Sequence, residues 1–393
     1  MAGGIVIGTH VLTVNTGSSS VKLGLYCVPD SGEPPRIGAS SLSITTLVPA
    51  LSLQRFLAEH GVEPSDVIAV SHRIVHGGNV VTRAVCLDEP LEARLDRLTS
   101  LAPLHNPVAF EWLRCCRRFF GTDCRQILVP DTGFFHDLPE VARDYALPAA
   151  LTRRYPLRRY GFHGLAHQAM WLDWRSSGER RRPSRLISIQ LGGGCSIAAI
   201  LDGKPLDTSM GFTPLEGLVM ATRSGDLDPG LVTWLQREEN LDSKGMERLL
   251  NEWSGLYGVS GISGDMQTLL KNDSKDARRA VDLYVYRVRK YIGAYVAILG
   301  GVDGIMFGGG VGENAPEIRA GILTNMDCFG VELDSDLNKR LIGESGAINN
   351  THSRVEVRVT RVDEGALLAR EAIHECHLQG FVTIRKDGTD RPY

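Results

Sequence analysis

A strand, a glycine-rich turn and a second strand occur twice in this chain, once near the N-terminus and once in its middle. The first copy reads "HVLTVN", "TGSS" and "SVKLGLYCV", and the second reads "RLISIQ", "LGGG" and "CSIAAILDGK". The copies agree in order and length although few residues are identical, which is typical of an internal duplication. Asn15 and Gln190 occupy corresponding places. The repeat therefore predicts two similar lobes facing a cleft.

The chain has 393 residues, more than one hydrophobic core usually supports, so we expect two domains. We predict an N-terminal lobe over residues 1–150, completed by a C-terminal helix near 364–380. The second lobe is predicted over 151–380, followed by a polar tail over 381–393. The first segment predicts an antiparallel meander, after which strands alternate with amphipathic helices such as "DARRAVDLYVYRVRKYIGAYVAIL". The fold class is therefore α/β.

Composition favours small-molecule chemistry. The net charge is −3 and 43% of residues are hydrophobic, so the chain carries no electrostatic footprint for nucleic acid. The 8 cysteines form no CxxC pair, which indicates a reducing cytoplasm. The longest apolar run, "AYVAILGGV", is too short to span a bilayer, and the start of the chain does not read as a signal peptide. We therefore expect no membrane association.

A third glycine-rich turn lies in "DGIMFGGGVGENAPEIRAGI". It predicts a strand, a turn and a helix, with Asn314 as N-cap and Pro316 in the first turn of the helix. The dinucleotide fingerprint would need glycine at position 313, which is Glu313, and the Walker pattern is absent. Each such turn can bring backbone amides to an anion, but a hairpin or a close strand crossing explains a single case equally well.

Cationic side chains stand near these turns. Phosphoryl transfer is catalysed mostly by positioning and by cations that stabilise charge on the phosphoryl oxygens. Arg73, His163 and Arg223 lie in predicted loops, and the carboxylates of Asp131 and Glu364 lie near predicted helix starts. A loop arginine is more often a surface group and a carboxylate there is often a helix cap, so spacing alone leaves their roles open.

Several segments, taken in order, resemble the acetate and butyrate kinase family of the actin-like ATPase superfamily. They include "VNTGSSSVK", "SHRIVHGG", "RRYGFHGLAH" and the most specific block, from Leu191 to Pro229. The resemblance implies a duplicated actin-like, ribonuclease H-like α/β fold with two lobes around a cleft. It also implies reversible in-line transfer of the γ-phosphoryl group of ATP to acetate, which gives acetyl phosphate and ADP, and it implies a homodimer.

The resemblance further implies a division of labour among the charged residues. Asn15 and Glu364 match the family's magnesium site, with manganese as the alternative ion, and their oxygen ligands suit such a cation. Arg73 and Arg223 match the two arginines that hold the acetate carboxylate and the transferring phosphoryl group, which guanidinium forks bind well.

Two further catalytic residues are implied in the same way. His163 matches the histidine that steadies the transition state. Asp131 matches an essential aspartate, assigned either to organising the arginines or to acid–base work. A carboxylate nucleophile already bears its charge and needs no base, so the organising role is favoured.

The remaining implied residues contact the substrates. The acetyl methyl group is expected in a small apolar pocket, whose walls decide the chain length of the acid. The matching pocket positions are Val75, Leu104, Phe162 and Pro214. The predicted nucleotide contacts lie in the three glycine turns and in one further loop, and they are Ser18, Ser20, Lys22, Ser188, Ile189, Gln190, Leu191, Gly192, Asp265, Met266, Gln267, Gly310, Val311, Gly312, Glu313 and Asn314.

The chain departs from the family where relatives commonly read "HLGNG" and this sequence reads "QLGGG". Gln190 cannot become a cation as histidine can, and Gly193 offers only its backbone. The change leaves open the rate and the identity of the phosphoryl donor. Two alternatives also stay open, namely an acyl kinase that prefers propionate or butyrate and a non-catalytic actin-like nucleotide-binding protein.

Overall fold

The computed structural model describes residues 9–17, 20–29, 32–43, 48–103, 105–178 and 183–380. Its chain separates into two compact units, unit 1 with Met1–His136 and Asp363–Tyr393, and unit 2 with Asp137–Val362. Residues 137–150 thus belong to unit 2, whereas the sequence-based division assigned them to the first lobe. That division into lobes and a tail stays a prediction, and the tail at 381–393 lies outside the described residues.

Unit 1 is built on a six-stranded sheet with the strand order β3-β2-β1-β4-β6-β5. Strands β1, β2 and β3 form the predicted antiparallel meander, and β4 and β6 continue the sheet in parallel with β1. Short β5 pairs antiparallel with β6. The strands are β1 His10–Thr16, β2 Ser20–Cys27, β3 Arg36–Ser43, β4 Val67–Ile74, β5 Val85–Cys86 and β6 Arg125–Pro130.

Helices complete unit 1. They are α1 Pro49–Glu59, α2 Glu89–Leu95, α3 Asn106–Phe120 and α15 Glu364–Leu378. In α1 the buried residues Leu53, Phe56 and Leu57 follow helical spacing, and they join a core that includes Leu12 and Trp112. Helix α15 packs on β1, β2, β4 and β6, so the C-terminal helix covers the N-terminal sheet.

Unit 2 repeats the same topology. Its sheet has the order β11-β12-β10-β7-β8-β9. Read from the opposite edge, this order is β9-β8-β7-β10-β12-β11, which matches the unit 1 order β3-β2-β1-β4-β6-β5 strand for strand. Strands β7, β8 and β9 are antiparallel, β7, β10 and β12 are parallel, and β11 pairs antiparallel with β12. The predicted duplication is confirmed at this level. The strands are β7 Arg185–Leu191, β8 Cys195–Leu201, β9 Lys204–Thr208, β10 Gly304–Gly308, β11 Gly346–Ala347 and β12 Glu356–Val359.

The helices of unit 2 are mostly short, except for one long amphipathic helix that was predicted from its periodicity. That helix, α11, begins after its N-cap Ser274 and ends at left-handed Gly300. In the part of the chain that the structure describes, no helix is both long and apolar enough to cross a membrane. The helices are α4 Glu140–Arg143, α5 Ala149–Arg154, α6 Gly164–Ser176, α7 Pro229–Glu238, α8 Ser243–Glu252, α9 Gly255–Ser260, α10 Met266–Leu270, α11 Lys275–Leu299, α12 Gly309–Asn314, α13 Pro316–Leu323 and α14 Ser335–Arg340.

The third glycine turn differs from its prediction in one detail. Strand β10 runs into α12, and α13 begins at Pro316 as expected, but its N-cap is Ala315 rather than Asn314. A residue before proline is disfavoured in the helical region, so the break between the helices falls on Ala315. Asn314 remains the last residue of α12 and donates from Nδ2 to the carbonyl of Gly310.

Candidate active site

In unit 1, the carboxyl ends of the parallel strands bring three predicted site residues together. Asn15 lies in β1, Arg73 in β4, and Asp131 directly follows β6. Arg73 donates from Nη2 to Oδ2 of Asp131 at 2.8 Å and from Nη1 to Oδ1 of Asn15 at 3.2 Å. Asn15 in turn donates from Nδ2 to Oε2 of Glu364 at 2.7 Å. We call this set, Glu364, Asn15, Arg73 and Asp131, the carboxylate–arginine network.

The network is largely removed from water. The side chain of Arg73 is 11% exposed and that of Asp131 is 1% exposed. Burial disfavours the charge on Arg73, but the carboxylates of Asp131 and Glu364 outweigh it and hold the pKa of Arg73 above its usual range. Arg73 is therefore a permanent cation whose orientation is fixed by Asp131. Its Nε is buried and has no hydrogen-bond partner among the described residues.

Glu364 and Asn15 suit a magnesium ion unequally. Glu364 is the first residue of α15, and among the described residues only Asn15 donates a side-chain hydrogen bond to its carboxylate. The amide oxygen of Asn15, by contrast, accepts from Arg73. Magnesium typically takes one or two carboxylates together with substrate phosphates and water. The donor set therefore fits an ion held by Glu364 and oriented by Asn15.

In unit 2, His163 occupies a strained position. It is the N-cap of α6 and has φ 57°, in the left-handed region that non-glycine residues rarely adopt. Such strain persists only where the surroundings fix the residue, and it concentrates at functional sites. The Nδ1 atom of His163 lies 2.9 Å from Oγ of Ser196. A Cβ placed on Gly194 would lie 3.2 Å from Nε2 of His163 and 3.6 Å from Nη1 of Arg223. Gly194 thus brings the backbone close to both side chains.

Arg223 is a cation without a carboxylate. Its Nη1 donates to the carbonyl of Pro214 at 3.2 Å, and no ion pair to it occurs among the described residues. Burial lowers the pKa of Arg223, and nearby Cys195 opposes this only in part. A partly buried guanidinium that lacks a carboxylate partner is chemically suited to bind an anionic group.

The second and third glycine turns meet in unit 2. Gln190 of β7 pairs with Gly308 of β10, and its side chain lies over the turn, since a Cβ on Gly308 would be 2.9 Å from Oε1. That Oε1 is buried and has no hydrogen-bond partner among the described residues. The Oε1 of Glu313 accepts from the amides of Gly309 and Val362, at 3.1 and 3.3 Å. The carboxylate of Glu313 therefore holds the start of α12.

The other predicted contacts are placed as follows. Val75 and Phe162 are buried and Pro214 is half-buried, while Leu104 and Ser18 lie outside the described residues. Of the predicted nucleotide contacts, Ser188, Ile189, Leu191, Met266 and Gly312 are buried. Those with an exposed or half-buried surface are Ser20, Lys22, Gln190, Gly192, Asp265, Gln267, Gly310, Val311, Glu313 and Asn314.

Asp265 has a local role. Its Oδ2 accepts from the amide of Thr268 at 2.9 Å and from the hydroxyl of Thr268 at 2.7 Å, so it caps helix α10. These hydrogen bonds, the side-chain one foremost, lower the pKa of Asp265. Its predicted contact with the nucleotide stays a prediction.

Sequence reasoning missed two residues that support these sites. His167 is fully buried behind His163 and touches Ser196, and its spacing of four residues from His163 was the available signal. Arg319 is fully buried and donates to the carbonyls of Gly312 and Leu341, each at 2.7 Å. No pattern in the sequence distinguishes Arg319 from a surface arginine.

Comparisons with known proteins agree with this geometry. The sequence profile of the Acetokinase family matches residues 43–370. The chain belongs to the acetokinase family. It is 43% identical over 408 residues to the acetate kinase of Chloroherpeton thalassium, and the match covers 92% of this chain and 98% of that relative.

Solved structures give the same result. The crystal structure of Porphyromonas gingivalis acetate kinase superposes with a TM-score of 0.84 at 34% identity, covering 94% of this chain and 100% of that one. A propionate kinase from Francisella tularensis superposes with a TM-score of 0.81 at 29% identity, covering 93% and 99%. The predicted α/β fold class, the duplicated actin-like ATPase fold, is thereby confirmed. As a member of the acetokinase family, the chain is an ATP-using phosphotransferase.

Proposed function

We propose that this protein is an acetate kinase that transfers the γ-phosphoryl group of ATP to acetate, reversibly and in line. An oxygen of the acetate carboxylate attacks the γ-phosphorus, the bond from that phosphorus to the bridging oxygen of ADP breaks, and acetyl phosphate forms. The nucleophile is already anionic, so no proton has to move. The observation that carries the proposal is the carboxylate–arginine network, in which every member is held by another.

The charged residues divide the work. Arg73 would bind the acetate carboxylate, and Asp131 would keep the guanidinium in place rather than act as a base. Arg223, which has no carboxylate of its own among the described residues, would bind oxygens of the transferring phosphoryl group. His163 would donate a hydrogen bond to an equatorial oxygen of that group. Each role is electrostatic, as phosphoryl transfer requires.

We propose magnesium, with manganese as a substitute, as the ion that accompanies ATP. Glu364 would hold it and Asn15 would orient Glu364. When bound, the ion neutralises charge on the phosphate oxygens. The nucleotide would use the glycine turns of unit 2 together with Lys22 and the hydroxyls of the first hairpin. Replacing Glu364 by Gln should raise the magnesium concentration needed for half-maximal rate, measured by magnesium titration at fixed ATP.

The activity is tested by measuring ADP release in a coupled-enzyme assay and by trapping acetyl phosphate as a hydroxamate. Acetate-dependent turnover at saturating magnesium is the expected outcome. Folded protein that binds ATP but gives no acyl phosphate with any acid would contradict the proposal. It would favour the non-catalytic nucleotide-binding alternative instead.

The acid preferred is decided by the pocket, to which Val75, Phe162, Pro214 and Leu104 are proposed to contribute. One methylene in such a pocket changes discrimination by only about 1–3 kcal/mol, so some turnover of propionate is expected. The likeness to a propionate kinase supports comparing acids of two to four carbons by kcat/KM. A clear preference for the four-carbon acid would replace acetate as the substrate.

The phosphoryl donor is tested at Gln190, whose buried Oε1 lacks a hydrogen-bond partner among the described residues. Gln190→His would restore a potential cation beside the glycine turns. A charge-assisted hydrogen bond there is worth about 1.5–3 kcal/mol, so the rate with ATP should rise by about tenfold or more. Rates measured with ATP, GTP and pyrophosphate as donors, for the wild type and for Gln190→His, test this expectation. Unchanged rates and donor preference would show that position 190 does not tune phosphate binding.

We further propose a cytoplasmic homodimer. All 8 cysteines are free thiols, which supports a reducing compartment. The dimer rests on the family resemblance, and α7 offers a surface to test because none of its residues is buried and Leu231 and Trp234 are exposed. Light scattering after gel filtration should give a dimer for the wild type and a monomer for Trp234→Glu. A wild-type monomer would contradict the proposal.

A further inference from the structure

Behind His163 lies a chain of hydrogen bonds through four side chains. Ser188 Oγ lies 2.6 Å from Nδ1 of His167, and Nε2 of His167 lies 2.8 Å from Oγ of Ser196. The same Oγ lies 2.9 Å from Nδ1 of His163. Ser188, His167 and Ser196 are each 0% exposed, so bulk solvent does not reach them. We call this set the serine–histidine chain.

The chain can be protonated in two directions when both histidines are neutral, because a neutral imidazole has one donor and one acceptor nitrogen. In the first arrangement, Ser188 donates to Nδ1 of His167, Nε2 of His167 donates to Ser196, and Ser196 donates to Nδ1 of His163. The proton of His163 is then on Nε2. In the second arrangement every hydrogen bond runs in the opposite direction, and Nε2 of His163 carries no proton.

Ser188 favours the first of these arrangements. Among the described residues His167 is its sole side-chain hydrogen-bond partner. In the first arrangement the Ser188 hydroxyl donates its proton to His167. In the second it only accepts, and its own proton is left in a site without exposure to solvent. Leaving a buried donor unsatisfied favours the first arrangement by about five- to a hundredfold in population.

We propose that His167 is a positioning residue that, with Ser188 and Ser196, holds neutral His163 in the tautomer with its proton on Nε2. The inference rests on the proposed function for its purpose, since that proton is the one His163 would donate to the phosphoryl group. The ring edge of His163 that carries Cε1 and Nε2 faces the backbone of Gly194, where Nη1 of Arg223 also lies. A neutral donor beside Arg223 avoids the repulsion that two adjacent cations would suffer.

The tautomer is read directly by a long-range proton–nitrogen correlation spectrum of protein labelled with ¹⁵N-histidine, without nucleotide. The spectrum is recorded at about pH 8, where unperturbed histidines are neutral. His163→Gln and His167→Gln assign the two rings by the signals that vanish. We expect His163 in the wild type with Nδ1 unprotonated and Nε2 protonated. A wild-type His163 that carries its proton on Nδ1 overturns the inference.

Two variants test the cause. Ser188→Ala and His167→Leu each remove one link, so the excess of the Nε2–H form should fall to a few-fold and an Nδ1–H signal should appear. Ser188→Thr keeps the hydroxyl and should retain the wild-type spectrum. Circular dichroism and the melting temperature confirm that each variant is folded. If His167→Leu does not fold, Ser188→Ala alone tests the cause. An unchanged tautomer ratio in the folded variants refutes the positioning role.

The spectra separate this inference from the proposed function. Absence of acetate-dependent turnover in the wild type would refute the kinase activity but leave the tautomer result standing. If turnover is present, Ser188→Ala should lower kcat about twofold or more with the KM values for acetate and ATP unchanged, and Ser188→Thr should restore it. A change in KM alone would place the chain in substrate binding and refute its effect on His163.

Discussion

The two units use one sheet topology to present opposite kinds of chemistry. At the carboxyl ends of β1, β4 and β6, unit 1 carries Asn15, Arg73 and Asp131, which form a charged, mutually hydrogen-bonded network. At the corresponding positions in unit 2, Gln190 pairs with Gly308, and the strands β7 and β10 both run into glycine turns, whereas β12 is followed by Thr360. Unit 1 therefore offers side chains, and unit 2 offers backbone amides.

The difference teaches how a duplicated scaffold can hold buried charge in one copy and glycine turns in the other. Charged side chains are expensive to bury unless they are paired, and unit 1 meets this condition with two carboxylates beside one guanidinium. Glycine turns bind anions through amides and need no buried charge. The two side chains of unit 2 that are proposed to take part in the reaction, His163 and Arg223, lie outside its sheet, one at the start of a helix and one in a loop.

The largest expected effect is the loss of Arg73. Arg73→Ala removes the group proposed to bind the acetate carboxylate and breaks the buried ion pair with Asp131, so kcat/KM for acetate should fall by about 10³-fold or more. Steady-state ADP release measures this. Arg55→Ala, which breaks an exposed ion pair with Glu59, is the control and should be inert. A fall smaller than tenfold would break the idea that unit 1 supplies the side-chain chemistry.

Arg319 is the buried arginine of unit 2, and its loss should cost stability rather than chemistry. It has neutral partners, and burial lowers its pKa to about 10. Arg319→Met would leave buried carbonyls unsatisfied, so the free energy of unfolding should fall by roughly 3–4 kcal/mol. Urea denaturation followed by tryptophan fluorescence measures it. Exposed Arg340→Met is the matched control, and equal stability of the two variants would contradict the prediction.

A third prediction concerns stability in acid and compares β4 of unit 1 with its counterpart in unit 2, β10. Val14 pairs with His72 in unit 1, whereas Ile189 pairs with Phe307 in unit 2. Burial lowers the pKa of His72 to about 4, so it stays neutral in the folded state while the unfolded chain takes up a proton.

His72 therefore contributes stability at neutral pH that is lost as the pH falls from about 6.5 towards 4, by roughly 3 kcal/mol in all. Unfolding free energies measured from pH 7 to 4 should show this loss, and His72→Gln should make it smaller. An identical pH dependence in both proteins would assign the acid sensitivity to other groups.

The smallest expected effect compares two neighbouring glycines. Gly194→Ala would bring a methyl group to 3.2 Å from Nε2 of His163, so the ring must shift, and kcat should fall by about tenfold. The methyl group added by Gly193→Ala would have no atom within 4 Å beyond its chain neighbours, so this variant should change kcat by less than about twofold. Steady-state rates of both variants give the answer. Equal rates would mean that the close approach of Gly194 to His163 does not matter.

Much of the fold could be predicted because its signals are local. The strand, turn and strand pattern appears twice in the sequence, and the helical spacing of α11 is unbroken from Lys275 to Leu299. The error at Asn314 is a shift of one residue, decided by the steric effect of Pro316 on its neighbour. Element type follows from periodicity, whereas the exact start of a helix depends on atomic contacts.

The candidate site was less predictable because its contacts join distant parts of the chain. The pairing of Arg73 with Asp131 depends on β4 and β6 being adjacent parallel strands, which spacing alone does not reveal. The resemblance to the family supplied these residues as expectations. It did not supply His167, since that side chain is fully buried and reaches Ser188 of β7 only when α6 packs on β7.

The hydrogen bond between Asn15 and Glu364 spans 349 residues of chain. On the ribosome, at 5–20 residues per second, Glu364 is added roughly 20–70 s after Asn15. All of unit 2 is synthesised in that interval. During this time the face of the unit 1 sheet that α15 covers in the complete protein is not yet covered by that helix. A nascent chain therefore cannot complete the carboxylate–arginine network until all of unit 2 has been synthesised.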